Sequence, residues 1–196
     1  MLFDFSPNTP LQNFKILSQC LIPRPIAWIS TINDNGSINL APFSFFAPVS
    51  LEPTILSVCV MKKSDDTIKD TLYNAKTHKC ATITIPSPQD CLHLQQCSEE
   101  FARGISEASE LGISLKSIQS NYPPVPSNAQ CAFLCDFYDI WDFQSTTDTL
   151  LLELKQCFVD ERCISESTQD LRLVFETLTR TGNDFKVLKD IMQTIF

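Results

Sequence analysis

The sequence predicts a mainly β protein, an antiparallel barrel of six or seven strands with a few inserted and C-terminal helices. Three observations predict it. Residues 26–46 contain two runs rich in β-branched and aromatic residues around an NDNG turn, which indicates a hairpin. Residues 54–61 and 80–86 alternate apolar and polar side chains as half-buried strands do. Two longer apolar runs, 131–143 and 150–164, add further strands, and so many antiparallel strands favour a barrel.

Short helices are predicted between these strands and after them. Residues 64–79 carry apolar side chains at helical spacing behind Ser, Asp and Thr, so a helix is expected to begin near Thr67. Residues 89–101 fit a second short helix. The proline-rich stretch 121–128 is expected to be a loop, because proline donates no backbone hydrogen bond. Residues 166–196 have helical periodicity on either side of a glycine and predict a helical tail.

Composition indicates one globular domain over 1–196, with its core at about 15–165. Hydrophobic residues make up 43% of the chain and charged residues 19%, which is typical of a packed protein. The first ten residues contain no Lys or Arg ahead of an apolar run, and no stretch approaches the length of a membrane span. We therefore expect a cytoplasmic protein with no membrane association.

Charge and cysteine content narrow the range of ligands. The net charge of −8 lacks the positive field that nucleic-acid binding needs, so nucleic acid is not an expected partner. A small anionic ligand stays possible where basic residues converge. The nine cysteines include no CxxC pair, and a site at Cys91, His93 and Cys97 does not match a zinc spacing. We therefore predict that the cysteines are reduced thiols and that the protein binds no metal ion.

Three segments hold the residues with unusual chemistry. In LIPRPIAWIST, 21–31, prolines hold the chain extended as it enters a strand that ends in two hydroxyls. In NLAPFSFF, 39–46, a proline inside a strand can free neighbouring N–H groups for a ligand. In KKSDDTIKDT, 62–71, lysines and hydroxyls crowd a helix N-terminus, which favours a phosphate. Together they predict an aromatic-lined cleft with a phosphate anchor, suited to a phosphorylated planar ring.

Each feature taken alone also fits a purely structural role. Trp28 and the aromatic residues at 43–46 could be barrel core, and Asn39 could be a turn residue. Arg24 could form a surface ion pair of small value, and Lys69 with Asp70 could be a solvated helix start. Their occurrence together and in order favours the ligand site.

The motifs PRPIAWIST, NLAPFSFF and IKDT, in this order, resemble the flavin-reductase-like family of FMN-binding split barrels. The resemblance covers about residues 15–165. The segment LTRTGNDFKVL, 178–188, is similar to the family's terminal Arg-x-Gly-Gly-x-Tyr element. Here Asn183 replaces the second glycine and Phe185 the tyrosine, so no hydrogen bond from a tyrosine hydroxyl is carried over.

The resemblance implies a split β-barrel that forms a homodimer, with FMN in the groove between subunits. Residues of the first segment would flank the flavin and its ribityl chain: Trp28, Ile29, Ser30 and Thr31. Residues of the second would contact the ring, largely through backbone groups: Asn39, Ala41, Ser44, Phe45 and Phe46. Residues of the third would hold the phosphate: Lys62, Ser64, Lys69 and Thr71. The cofactor-binding set also includes Pro42 and Asp70.

The function that follows from the resemblance is an NAD(P)H-dependent oxidoreductase. Hydride would pass from NADH or NADPH to FMN, and electrons onward to a flavin, a protein, a metal ion or oxygen. The sequence has no GxGxxG fingerprint, so the choice of nicotinamide stays open. Neither His78 nor His93 lies in a motif, and no catalytic residue is nominated. One alternative is an FMN electron carrier without NAD(P)H activity, and another is a scaffold without cofactor.

Overall fold

The computed structural model describes residues 2, 4–5, 9–165, 172–173 and 176–188, and strands are the main regular structure among them. In chain order the strands are β1 (Arg24–Pro25), β2 (Ala27–Ile32), β3 (Ile38–Phe43), β4 (Phe46–Leu51), β5 (Thr54–Met61), β6 (Cys80–Ile85), β7 (Leu115–Lys116), β8 (Val125–Pro126), β9 (Cys131–Asp142), β10 (Thr147–Val159), β11 (Ile164–Ser165), β12 (Arg172–Leu173), β13 (Thr177–Thr181) and β14 (Asp184–Leu188). The helices are α1 (Pro10–Cys20), α2 (Asp70–His78), α3 (Cys91–Gln96) and α4 (Glu107–Glu110), with 3₁₀ turns at Pro88–Asp90 and Glu161–Cys163.

Seven strands form one antiparallel sheet in the order β3-β2-β6-β9-β10-β5-β4. The two edge strands, β3 and β4, follow each other in the chain and are joined by Ser44 and Phe45 alone. A link of two residues keeps the edges close, so the sheet must curl around its own core. That core contains fully buried Ile29, Val58 and Leu150 from strands across the sheet. The mainly β barrel predicted from the sequence is confirmed.

The predicted hairpin is present, and both predicted inserted helices are present with shorter bounds: the one expected over 89–101 is α3, Cys91–Gln96. The turn at 33–36 joins β2 to β3, with Trp28 opposite Pro42. Pro42 lies on an edge strand, where a missing N–H costs no ladder bond. The helix predicted near Thr67 begins at Asp70 instead. The reason is that the Thr67 N–H and hydroxyl both donate to Asp65 Oδ1, which holds a turn before the helix.

The predicted helical tail is wrong for residues 177–188, which form the hairpin β13–β14. Gly182 adopts φ +60° at the turn, and β13 pairs in turn with β1. Thr177, Thr179 and Thr181 are β-branched and alternate along β13, a pattern that favours a strand over a helix. Leu178 packs into a second core cluster with Trp28. Residues 166–171, 174–175 and 189–196 of the predicted tail lie outside the described residues.

The elements that the sequence did not predict include α1 and β4. Thr9 caps α1, because its hydroxyl accepts from the Gln12 N–H while the Gln12 side chain accepts from the Thr9 N–H. β4 is an edge strand that tolerates Pro48. The loop predicted at 121–128 is present except for β8, which pairs with β7. Among the described residues, no helix has both the length and the apolar character needed to cross a bilayer.

Candidate functional site

A cavity of about 610 Å³ lies against edge strand β3, the start of α2 and one side of α1. Its volume is in the range of small-molecule and cofactor sites. More than half of the predicted cofactor-binding residues line it: Asn39, Ala41, Pro42, Ser44, Phe45, Lys69, Asp70 and Thr71. The second and third sequence segments therefore meet in one cavity.

Of the first segment, Ile26 lines the cavity, but the four residues predicted to contact the flavin do not. The side chains of Trp28, Ile29, Ser30 and Thr31 have no exposed surface. Their strand, β2, lies between β3 and β6, so both of its edges are paired. Side chains on its two faces enter two different core clusters, Ile29 one and Trp28 the other. These residues support the cavity wall from behind.

Three further predicted residues also lie outside the cavity lining: Phe46, Lys62 and Ser64. Phe46 packs against the main core. Ser64 is already occupied, since its N–H and its hydroxyl donate to the Glu100 carboxylate at 2.8 and 2.6 Å. The neighbouring Lys63 lines the cavity instead of Lys62.

Asn39 joins the wall of the cavity to the helix beside it. Its Nδ2 donates to Thr31 Oγ1 and to Thr71 Oγ1, both at 3.0 Å. Behind it, Asn74 Nδ2 donates to Thr31 Oγ1 at 3.2 Å and to Asn33 Oδ1 at 2.8 Å. All five side chains are largely buried, so this network fixes β3 against α2.

Charged side chains cluster at the start of α2. Asp70 is buried, and its Oδ1 forms salt bridges with Lys63 Nζ at 3.2 Å and with Arg103 Nε at 3.6 Å. Lys69 lies in the cavity lining, and its side chain forms no hydrogen bond or salt bridge with the described part of the chain. The hydrogen bonds from Ser64 are the main cause of the lowered pKa of Glu100, and the charge of Lys69 lowers this pKa further. Lys69 is thus a cation available to a ligand phosphate.

Arg24 is a buried connecting residue and not a surface ion pair. It is 5% exposed, and its guanidinium donates to the carbonyls of Ser18, Leu21 and Gly182 and to Ser44 Oγ. Burial, together with the charge of Arg180, lowers its pKa. These bonds tie the end of α1 to the strand link and to the β13–β14 turn.

Aromatic rings form part of the wall. Phe45 lies 5.3 Å from the Phe14 ring of α1, centroid to centroid, and the Arg24 guanidinium lies over the Phe45 ring at 5.3 Å. Phe43 and Phe101 also line the cavity. The wall is therefore aromatic and apolar on the side where α1 packs.

Glu107 is a cavity residue that the sequence motifs did not reveal. It begins α4, is buried, and accepts from the Leu40 N–H at 2.7 Å through Oε2. Ser106 donates to the Ile38 carbonyl at 2.6 Å, so these two side chains pair with the open edge of β3. Burial raises the pKa of Glu107 to about 7, although the hydrogen bond from the Leu40 N–H acts to lower this pKa.

The C-terminal hairpin adds Arg180 and Phe185 to the cavity lining. Among the described residues, no group of three His, Cys, Asp or Glu side chains is arranged to hold a metal ion. Cys97 also lines the cavity, and burial raises the pKa of its thiol to about 12, so it is a neutral wall group.

The flavin reductase like domain model matches residues 18–174 of the chain. The chain belongs to the flavin-reductase-like family. A protein of Aquifex aeolicus strain VF5 is 30% identical over 152 residues, which cover 76% of this chain and 78% of that protein. A protein of Bacillus subtilis strain 168 is 32% identical over 169 residues, which cover 82% and 80%. Both relatives are themselves uncharacterized.

Solved structures show the same fold at low sequence identity. The 2-nitrobenzoate 2-nitroreductase of Pseudomonas fluorescens has a TM-score of 0.87 at 23% identity, covering 100% of this chain and 96% of its own. Component B of nitrilotriacetate monooxygenase from Bacillus cereus has a TM-score of 0.88 at 20% identity, with 99% and 98% covered. Flavoredoxin of Desulfovibrio vulgaris (Miyazaki F) has a TM-score of 0.76 at 13% identity, with 100% and 98% covered. Together with the family match they confirm the split-barrel fold, and the family indicates flavin binding and flavin-related oxidoreductase function.

Proposed function

We propose that the protein binds FMN in this cavity and acts as an NAD(P)H-dependent flavin reductase. The observation that carries the proposal is Lys69, a cation without a partner among the described residues, in the lining of a cavity that also has aromatic walls. A planar ring carrying a terminal phosphate matches those two features.

The residues present fit FMN chemically. The phosphate would take a charge-assisted bond from Lys69 and a hydrogen bond from the Thr71 hydroxyl, close to the N-terminus of α2. The ring would lie against Ala41 and Phe45, where small and aromatic side chains leave a flat surface. Pro42 interrupts the donor row of β3, and Ser44 and Phe45 link β3 to β4. Their backbone groups are candidates for the polar edge of the ring.

When bound, FMN would supply the redox chemistry by accepting hydride from a nicotinamide. The chain's own residues would position the two rings and exclude water. Asn39 fixes the wall on which the ring would rest, and Glu107 holds the outer edge of the same strand. No side chain is required as a proton donor or acceptor for hydride transfer, so we assign no catalytic residue.

A specific observation favours a second candidate, an FMN electron carrier without NAD(P)H activity. Helix α1 packs over the cavity, and Phe14 contacts Phe45. A helix in this place restricts the space beside the ring that a nicotinamide would need. Such a protein would take its electrons from a protein donor.

Two measurements test the proposal and separate the candidates. Heat release and chromatography of the cofactor should recover FMN, and recovery of mainly FAD would count against the phosphate site. Anaerobic addition of NADH or NADPH should then bleach the yellow protein. A protein that carries FMN but keeps its colour with both nucleotides is the electron carrier. A colourless protein that takes up no FMN would favour the scaffold hypothesis.

We further propose a cytoplasmic homodimer. Tyr138, Trp141 and Phe143, at the end of β9 and just beyond it, expose half or more of their surface. Exposed aromatic residues are enriched at protein interfaces. Light scattering should give about twice the 22.1 kDa chain mass. A strict monomer that holds FMN tightly would exclude the dimer.

A further inference from the structure

We propose that Arg180 binds an oxyanion, a phosphate or a carboxylate, on a second ligand that enters the cavity beside the flavin. The proposal rests on the proposed flavin site and concerns the molecule that exchanges electrons there.

Arg180 is the arginine in the cavity lining. Its side chain forms no hydrogen bond and no salt bridge within the described ranges, although Asp184 lies close enough to act on its pKa. By contrast, Lys63 in the same lining is paired with Asp70. Burial lowers the pKa of Arg180, but an arginine stays charged in proteins. A half-buried guanidinium with unused donors is well placed for an anion.

The orientation of the guanidinium is also set. Its carbon lies over the Phe185 ring at 4.4 Å from the centroid, and Phe185 is its cross-strand partner in β14. Stacking uses the face of the guanidinium and leaves the N–H donors at its edge free. A planar edge of several donors fits a phosphate or a carboxylate with two parallel hydrogen bonds.

A second arginine adds positive potential at this place. Arg24 of β1 is the direct cross-strand partner of Arg180 in β13. Like charges in register repel, and all the guanidinium nitrogens of Arg24 already donate within the protein. Arg180 is therefore the member of the pair that has donors to offer. A bound anion would offset the repulsion, and this occurs in a chain of net charge −8.

The anion is assigned to a second ligand because the flavin phosphate already has its place. That place is at Lys69 and Thr71 on α2, whereas Arg180 belongs to the C-terminal hairpin. FMN carries one phosphate. The second ligand would be either a nicotinamide nucleotide, through a phosphate, or an aromatic acid that accepts electrons, through its carboxylate.

The test compares the parent protein with Arg180→Gln and Arg180→Lys. Arg162→Gln is the matched control, because Arg162 is exposed and, within the described ranges, its side chain pairs with Asp160. Each protein is first titrated with FMN. The FMN-saturated proteins are then titrated with NAD⁺, NADP⁺, benzoate and its neutral analogue benzamide, with the flavin absorbance as readout.

We expect Arg180→Gln to raise the Kd of at least one anionic probe ten-fold or more. The Kd values of FMN and benzamide should change by less than two-fold. Arg180→Lys keeps the charge but loses the two-pronged geometry, so it should weaken the same probe about three-fold. It also keeps the test decisive if the Arg180→Gln variant does not fold. An effect on the nucleotides identifies a phosphate, and an effect on benzoate alone identifies a carboxylate.

Three results would overturn the inference. The parent protein could bind no anionic probe, neither variant could lower the affinity for any probe, or the affinity for FMN could fall as much as the affinity for the probes. The last would place Arg180 in the flavin site. A parent that binds no FMN would instead reject the proposed function. The anion site would then be tested by thermal shift of the protein with the same probes.

Discussion

Asn39 Nδ2 lies 3.0 Å from Thr71 Oγ1, and this hydrogen bond joins the edge strand of the barrel to the first turn of α2. The two residues belong to different sequence motifs, 32 positions apart. This bond keeps the wall proposed for the flavin ring at a fixed distance from the site proposed for its phosphate. The ligand would therefore meet a preformed site.

Asn39→Ala should lower both stability and the rate of hydride transfer. The substitution removes two buried hydrogen bonds and leaves Thr31 and Thr71 without this donor, at a cost of about 1–3 kcal/mol in the free energy of unfolding. The ring would also lose its fixed position, so reduction should slow even at saturating FMN. Urea unfolding and anaerobic stopped-flow measure the two effects.

Asn74→Ala is the matched control for this prediction. Asn74 donates to the same Thr31 hydroxyl but does not line the cavity. It should lose similar stability and keep the parent rate. Equal slowing in both variants would show that Asn39 acts only through stability.

Lys69→Ala should weaken FMN binding far more than it slows reduction. The lysine is proposed to contact only the phosphate, whose charge does not change in the reaction. Loss of one charge-assisted bond should cost about 1.5–3 kcal/mol, or roughly ten- to hundred-fold in Kd. Fluorescence titration of the apoprotein measures it.

Lys62→Ala is the control, because Lys62 lies outside the cavity lining and should bind FMN as the parent does. If Lys69→Ala retains the parent affinity, the phosphate site does not lie at the start of α2.

The strands were predictable because their periodicity and turns are local. The β2–β3 hairpin, β5 and β6 lie where alternation and turn residues indicate them. The same alternation could have corrected the choice of lysine. Cys59 and Met61 alternate along β5 and line the cavity, and Lys63, two positions further along the chain, lines it too, whereas Lys62 does not.

Other parts of the site depend on long-range contacts that no local pattern carries. Glu107 lies in the cavity wall because Ser106 and Glu107 bond to the edge of β3, 68 and 67 residues away in sequence. Arg180 reaches the cavity because β13 pairs with β1. The helical periodicity of the tail was misleading there, since pairing of strands overrides local propensity.

Gly182→Ala should destabilise the protein by more than Gly36→Ala. Both glycines have positive φ, +60° and +81°, so each alanine adds backbone strain of about 1–2 kcal/mol. At Gly36 an added Cβ meets nothing within 4 Å, whereas at Gly182 it would lie 2.5 Å from Nε2 of the exposed Gln19 side chain, which has to shift. Gly182 also accepts from Arg24 and donates to the Ser18 carbonyl, so a shift of this turn would disturb α1.

Thermal and urea unfolding of both variants measure this difference. The double substitution Gly182→Ala with Gln19→Ala should recover the steric part and leave a loss similar to that of Gly36→Ala. Equal losses in the two single variants would mean that Gln19 moves aside without cost.

The buried carboxyl of Glu107 should make stability fall as pH rises. Its pKa in the folded protein is about 7, against 4.5 for an unperturbed glutamate, because burial disfavours the charged form. The folded state therefore binds this proton more tightly than the unfolded state. The contribution is fully present below pH 4.5 and is lost as pH rises through 7. The whole span corresponds to at most roughly 3 kcal/mol.

Glu107→Gln removes this ionisation and can keep the acceptor for the Leu40 N–H. The charged groups that act on Glu107, Asp70 and Lys63, stay in place, so the difference between parent and variant isolates one carboxyl. Glu110→Gln, on the exposed face of the same helix, is the control and should follow the parent curve. In urea unfolding from pH 5 to pH 8, the free energy of unfolding of the Glu107→Gln variant should increase relative to that of the parent as pH rises. Parallel curves would mean that Glu107 ionises in the folded protein as it does in the unfolded chain.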